Sequence, residues 1–135
     1  MQLWFHTDRR SGKITELQTN PSAALHIYDR DQKVQLQISG RAALHVDDDV
    51  TGAAWMKSQP MSRINYQVIQ APGSVIENPH HAVQDPSLNA DGSENFMVVV
   101  LHIEALEWLF LDARGHRRAR FTRDGKVWSG KWLVP

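Results

Sequence analysis

The chain has 135 residues, fifteen Lys plus Arg against fifteen Asp plus Glu, and no cysteine. This length supports one hydrophobic core, so a single domain over 1–135 is expected. A balanced charge gives no general pull toward nucleic acid or anionic membrane, and the lack of cysteine excludes disulfides, thiol nucleophiles, iron–sulfur clusters and Cys-type zinc sites. The longest apolar run, Phe96 to Leu101, is too short for a membrane span, and Met1 leads into no signal-like segment. A soluble, cytoplasmic protein is expected.

Leu3-Trp4-Phe5 reads as a strand. A short helix follows over Ser11 to Leu17, with Ser11 as N-cap and Asn20-Pro21 as the stop. Ala23, Leu25 and Ile27 alternate with Ala24, His26 and Tyr28, and the polar turn Asp29 to Gln32 makes this the first arm of a hairpin. Its second arm carries the clearest period: Val34, Leu36, Ile38, Gly40, Ala42, Leu44 and Val46 fall at every second position. A long strand with a glycine at its midpoint suits a small barrel, because the missing side chain permits a sharp bend.

Asp47-Asp48-Asp49 stands where carboxylates complement a helix N-terminus, which predicts a helix over Val50 to Ser58 ended by Pro60. A second short helix is expected from Ser62 to Ile69. Residues 71–95 hold Pro72, Pro79, Pro86, Gly73 and Gly92 and read as a long irregular loop. Strands are then expected at Phe96–Glu104, Leu106–Leu111, Arg117–Thr122 and Lys126–Leu133, with Asp124-Gly125 as a hairpin turn. The fold class is mainly β, a small barrel of antiparallel strands with a few short helices.

Two runs are candidates for chemistry. In Thr7-Asp8-Arg9-Arg10-Ser11-Gly12-Lys13 three cations crowd a helix start, an unfavourable placement unless an anion such as phosphate joins them. A solvated basic turn partly neutralised by Asp8 reads the same residues without a ligand. The second run holds Arg114, Arg117, Arg118, Arg120 and Arg123, half of the ten arginines. Arg118 and Arg120 share one strand face and could grip an anion; the other reading is an edge strand guarded by charge. A phosphate-reading module for nucleotides or RNA is a further rival, although no known RNA motif occurs. His80-His81 with Asp85 has no third metal ligand at convincing spacing, so no metal is expected. Hydrolase, zincin, P-loop and Rossmann signatures do not occur. Trp4, Trp55, Trp108, Trp128 and Trp132 read as packing residues.

The order of several short pieces carries a resemblance. Phe5-x-Thr7-x-x-x-Ser11-x-Lys13, Leu17-x-x-Asn20-Pro21, Gln35-x-x-x-x-Gly40-x-Ala42, His116-x-x-x-Arg120-Phe121 and Trp128-x-x-x-x-Leu133-x-Pro135 run through nearly the whole chain. Together they resemble the pyridoxamine 5'-phosphate oxidase-like FMN-binding split barrels. The resemblance implies FMN as cofactor, with Thr7, Ser11 and Lys13 in its phosphate segment and His6 where the oxidase has a tyrosine. It implies that Gln35 hydrogen-bonds the flavin and that Arg120 lies near it. It also implies a homodimer with flavin at the subunit interface, a small-molecule substrate, and neither nucleic acid nor membrane as partner.

Three departures qualify what carries over. Gly12 replaces a phosphate-holding arginine, and Arg10 is expected to supply that charge. Gln59 and Arg63 stand where the oxidase has its substrate-phosphate arginine and serine, so turnover of pyridoxamine 5'-phosphate does not follow. The oxidase's first strands have no counterpart before Met1, so the chain reads as truncated or as a minimal relative. The expected function is an FMN-dependent oxidoreductase of unassigned substrate. The alternative is a non-enzymatic, dimeric flavin-binding or structural protein.

Overall fold

The two-residue alternation of the sequence resolves into six strands in the computed structural model, which describes residues 1–84 and 91–135. In chain order these are β1 (Gln2–Asp8), β2 (Ser22–Asp29), β3 (Val34–His45), β4 (Phe96–Phe110), β5 (Arg117–Asp124) and β6 (Val127–Leu133). Three short helices accompany them: α1 (Gly12–Thr19), α2 (Asp49–Lys57) and α3 (Pro60–Arg63). The sheet order is β2-β3-β4-β5-β6, and β1 pairs with β4. The chain divides into two compact units, one of Met1–Leu3, Pro21–Ala42 and Leu101–Pro135, the other of Trp4–Asn20 and Ala43–Val100.

In the first unit the β2–β3 hairpin is antiparallel, with Leu25 opposite Ile38 and Tyr28 opposite Gln35. Lys33 enters β3 with φ 53° and Asp47 follows it with φ 52°, so left-handed residues stand beyond both ends of the strand. The core gathers Ile38, Leu101 and Ile103, with Leu3, Ala23, Leu25, Leu106 and Trp128 packed against them. Gly40 has a specific cause. A β-carbon there would overlap the carbonyl oxygen of His102, so the backbone of β4 passes where any side chain would stand. β5 lies between β4 and β6, which corrects the expectation of a charged edge strand. Asp124 pairs with Val127 across a two-residue turn whose first residue, Gly125, has φ 58°.

β4 is one strand of fifteen residues where two were expected. His102 ends the apolar run and Glu104 follows it, but the strand continues, because burial alternates through exposed His102, buried Ile103, exposed Glu104 and buried Ala105. Its opening residues, Phe96 to Leu101, are all buried, the pattern of a strand covered on both faces.

In the second unit Phe96, Val98 and Val100 join Ala54, with Ala43, Trp55 and Tyr66 packed around them. Trp55, Tyr66 and Phe96 meet edge to face, with centroids 5.0 to 5.9 Å apart. α1 keeps the expected Ser11 N-cap and stops at Asn20, whose N–H donates to the Glu16 carbonyl. α2 begins in a capping box: Asp48 accepts from the Thr51 N–H at 2.9 Å, and Thr51 Oγ1 accepts from the Asp48 N–H at 3.2 Å. The helix expected over 62–69 is instead α3 followed by a 3-10 turn at Ile64–Gln67. Pro60 supplies the helical φ at the first turn and so draws the start forward. Within 71–95 the described residues form 3-10 turns at Pro79–His81 and Ser93–Asn95. Asp85 and Pro86 lie outside the described residues.

Two outcomes follow. Gly40→Ala is expected to lower unfolding free energy by about 3 kcal/mol in urea titration, since a backbone carbonyl cannot step aside as a side chain would. The second concerns acid. Hydrogen bonds from Thr51 and then His45 hold the Asp48 carboxyl at about 2, below its ordinary 3.8. A depressed carboxyl stabilises fully above its unfolded value and loses that contribution as pH falls through the folded one. The stability gap between wild type and Asp48→Ala is therefore constant above about pH 4 and closes toward pH 2, read by urea unfolding at stepped pH.

Candidate functional site

Exposure alternates along β1 as far as exposed His6, after which Thr7, Asp8 and, beyond the turn, Ser11 are buried. A buried carboxylate needs partners, and Asp8 finds them in Arg10, two residues on. It accepts from the Arg10 backbone N–H at 2.8 Å, from Nε at 3.0 Å and from Nη2 at 2.7 Å. Arg10 then donates to the carbonyls of Val68 at 3.0 Å and Ile69 at 3.1 Å. The hydrogen bond that the guanidinium donates to Asp8 holds its proton more firmly than usual. Arg10, which the resemblance would have replace the phosphate-holding arginine absent at Gly12, is thus held by Asp8 and two carbonyls of the fold. Arg9 pairs with Asp47 at 3.1 Å and donates to the Glu94 carbonyl at 3.3 Å.

Lys13 differs from both arginines. Its Nζ donates to Ser11 Oγ at 2.9 Å and Thr7 Oγ1 at 3.2 Å. Ser11 makes no side-chain cap bond to α1, and the first turn of α1 has no acidic residue. An ammonium, two hydroxyls and a helix N-terminus therefore converge with no carboxylate among the described partners of Lys13, a donor set suited to an anion. The pleat of β1 sends His6 to the opposite face from Thr7. There His6 meets Trp4 at 5.6 Å and Phe96 at 4.9 Å, ring to ring, and joins the aromatic packing of the second unit.

Gln35 and Arg120 belong to the first unit. Gln35 lines a cavity of about 200 Å³ with His26, Gln37, Glu107, Leu109 and Arg118. Glu107 faces Arg120 across the β4–β5 ladder. Arg118 donates both Nε, at 3.1 Å, and Nη2 to Glu107 Oε2, and Arg120 Nε stands 3.6 Å from Oε1. The same-face pair read from the arginine run is therefore joined to one carboxylate, leaving one positive charge in excess. Of the other arginines, Arg114 pairs with Asp112 and Arg117 lies over the Phe110 ring.

Of the six expected residues, Thr7, Ser11 and Lys13 come together in one unit and Gln35 and Arg120 belong to the other, while His6 packs against Trp4 and Phe96. Sequence reasoning missed Glu107, His26 and Gln37 in the second group. Strand register was the needed signal: His26 stands opposite Gln37, and Glu107 opposite Arg120. Among the described residues no group of three or more His, Asp or Glu is placed to hold a metal, and no helix is long and apolar enough to cross a membrane.

Comparison with known proteins places this geometry in a family. A family model described as pyridoxamine 5'-phosphate oxidase matches residues 1–112. The chain is 28% identical over 137 residues to a dihydrophenazinedicarboxylate synthase of Pseudomonas chlororaphis, covering 97% of this chain and 61% of that protein. It is 26% identical over 140 residues to a pyridoxine/pyridoxamine 5'-phosphate oxidase of Legionella pneumophila (strain Paris), covering 97% and 64%. The chain therefore spans somewhat under two thirds of the length of these relatives. A pyridoxamine 5'-phosphate oxidase-related, FMN-binding protein from Nostoc punctiforme PCC 73102 shares the fold, with a TM-score of 0.80 at 24% identity over 99% of this chain and 73% of that one. PhzG from Burkholderia lata 383, solved with tetrahydrophenazine-1-carboxylic acid, has a TM-score of 0.70 at 25% identity over 98% and 68%. Antiparallel strands, short helices and the family match agree: the chain belongs to the pyridoxamine 5'-phosphate oxidase family and has its split-barrel fold.

Proposed function

We propose that this protein is an FMN-dependent oxidoreductase acting as a homodimer, with residues 1–135 as one flavin-binding domain and a small-molecule substrate. The observation that carries the reading is Lys13, held on two buried-residue hydroxyls at a helix start that has no acid in its first turn. Those donors fit a phosphate monoester, which accepts charge-assisted hydrogen bonds on three oxygens. Lys13, Thr7 and Ser11 hold the flavin phosphate in this reading. Gln35 supplies an amide to the ring, and Arg120, braced by Glu107, adds positive charge near it. His6 is assigned by resemblance to the same cofactor site. When bound, the flavin supplies hydride exchange with a reduced substrate; the protein anchors, orients and excludes water.

A second reading, a non-enzymatic flavin-binding or structural dimer, is favoured by the engagement of Arg10 with Asp8 and two carbonyls. With that guanidinium occupied, the phosphate grip rests on fewer cations. An FMN titration separates the readings: saturable binding with reducible absorbance supports the oxidoreductase, and failure to bind removes both flavin readings and leaves the structural one.

Lys13→Ala is expected to weaken FMN binding about tenfold or more, the scale of one charge-assisted contact, while sedimentation shows the same oligomer. Unchanged affinity removes Lys13 from the site. Gln35→Leu is expected to move the flavin's absorbance maximum or reduction potential more than its affinity, measured on the same titrated samples.

A further inference from the structure

The seven histidines differ in what holds them. His45 bonds through Nδ1 to Asp48 at 2.8 Å, His116 Nδ1 accepts from the Asp112 N–H at 3.2 Å, and His6 packs on Trp4 and Phe96. His26 is exposed on β2, and none of the described hydrogen bonds, ion pairs or ring contacts involves it. Its place is set by register. His26 stands opposite Gln37, and Gln35 is the diagonal neighbour two residues back along β3, within reach of a long side chain. The pleat sends Leu25 and Ile38 to the core and His26, Gln35 and Gln37 to the other face, where they meet Glu107, Leu109 and Arg118 around the cavity of about 200 Å³.

Few of these groups can exchange a proton. Gln35 and Gln37 are amides and Leu109 is apolar, so β3 brings no titratable group to the cavity. A guanidinium keeps its proton, which removes Arg118 from β5. Glu107 from β4 is spent on two guanidinium groups, on Arg118 through Nε at 3.1 Å and Nη2, and on Arg120 at 3.6 Å. Tyr28 shares this face of β2 two residues on, and a phenol is far too weak an acid to exchange near neutrality. That leaves the imidazole of His26, the side-chain type whose ordinary ionisation falls between about pH 5 and 8.

We propose that His26 is the proton-exchanging residue of the Gln35 cavity: its imidazole takes one proton from solvent as two electrons enter the flavin bound there, and returns it on reoxidation. An N–H bond forms on the imidazole and later breaks. The electrons come from the hydride donor that reduces the flavin and leave to dioxygen. Negative charge arriving beside an imidazole favours its protonated form, the ordinary response of a base to a nearby anion. The proposal rests on the flavin reading through Gln35.

Reduction potentials of the full chain loaded with FMN, wild type and His26→Gln, are measured by dye equilibration in steps from about pH 6 to 8. The wild-type line is expected to be steeper by one proton per two electrons, a tenfold factor per pH unit or about 30 mV. A second measurement needs no variant beyond its use for assignment. The imidazole nitrogen signals of His26, identified by their absence in His26→Gln, are expected to move toward imidazolium when the FMN-loaded wild type is reduced with dithionite near neutral pH. Parallel potential lines, or His26 signals that stay in place on reduction, overturn the proposal, while saturable FMN binding in the same samples leaves the flavin reading standing. A wild type that fails to bind FMN removes the reading and the proposal together. If His26→Gln alone fails to bind FMN, the oxidised and reduced wild-type spectra decide.

Discussion

Asp8 is a carboxylate buried at the end of β1, and the cost of burying that charge dictates what its neighbours do. Three donors from Arg10 satisfy it. Two further guanidinium donors then fasten the β1–α1 turn to the carbonyls at Val68 and Ile69. One internal pair thus sets the turn, consumes a cation that the local sequence leaves apparently free, and sets Lys13 apart with two hydroxyls. The distinction between structural and ligand-directed charge in this stretch rests on which carboxylates are in reach. Arg9 and Arg10 reach one each, and Lys13 reaches hydroxyls alone among its described partners.

The same accounting applies to the arginines of β5. Glu107 neutralises part of the charge of Arg118 and Arg120 and fixes their direction, since its two oxygens face different guanidinium groups. A carboxylate shared in this way lets two cations stand side by side. The cavity beside Gln35 is polar and mildly positive as a result, whereas the opposite edge of the β5 surface is aromatic. A single strand can present both because its side chains alternate between faces.

Much of this was legible in local patterns. The alternation from Val34 to Val46 gives β3 its length and buried face, and Ser11 and Asn20-Pro21 bracket α1 to within two residues. Gly40 was legible as special but not for its cause, since the carbonyl of His102 lies sixty-two residues away. The two strands expected at Phe96–Glu104 and Leu106–Leu111 are one, since an exposed acid between two buried residues is the outer face of a continuing strand. The engagement of Arg10 was hidden for the same reason as the Glu107 clasp. Both rest on atoms brought together by register and chain return, which spacing along one segment does not encode. The phosphate-binding resemblance rested on local spacing, and it is the local triad of Thr7, Ser11 and Lys13 that comes together.

The left-handed residues beyond the two ends of β3 bear on how the gene can change. Lys33 and Asp47 each adopt a backbone conformation that L residues enter reluctantly, and a deletion between them would move that conformation onto a β-branched or apolar neighbour. A single inserted residue would turn every inward side chain of the strand outward. Insertions and deletions are therefore expected to be tolerated less within 33–47 than in the connecting segments, where backbone geometry is less demanding.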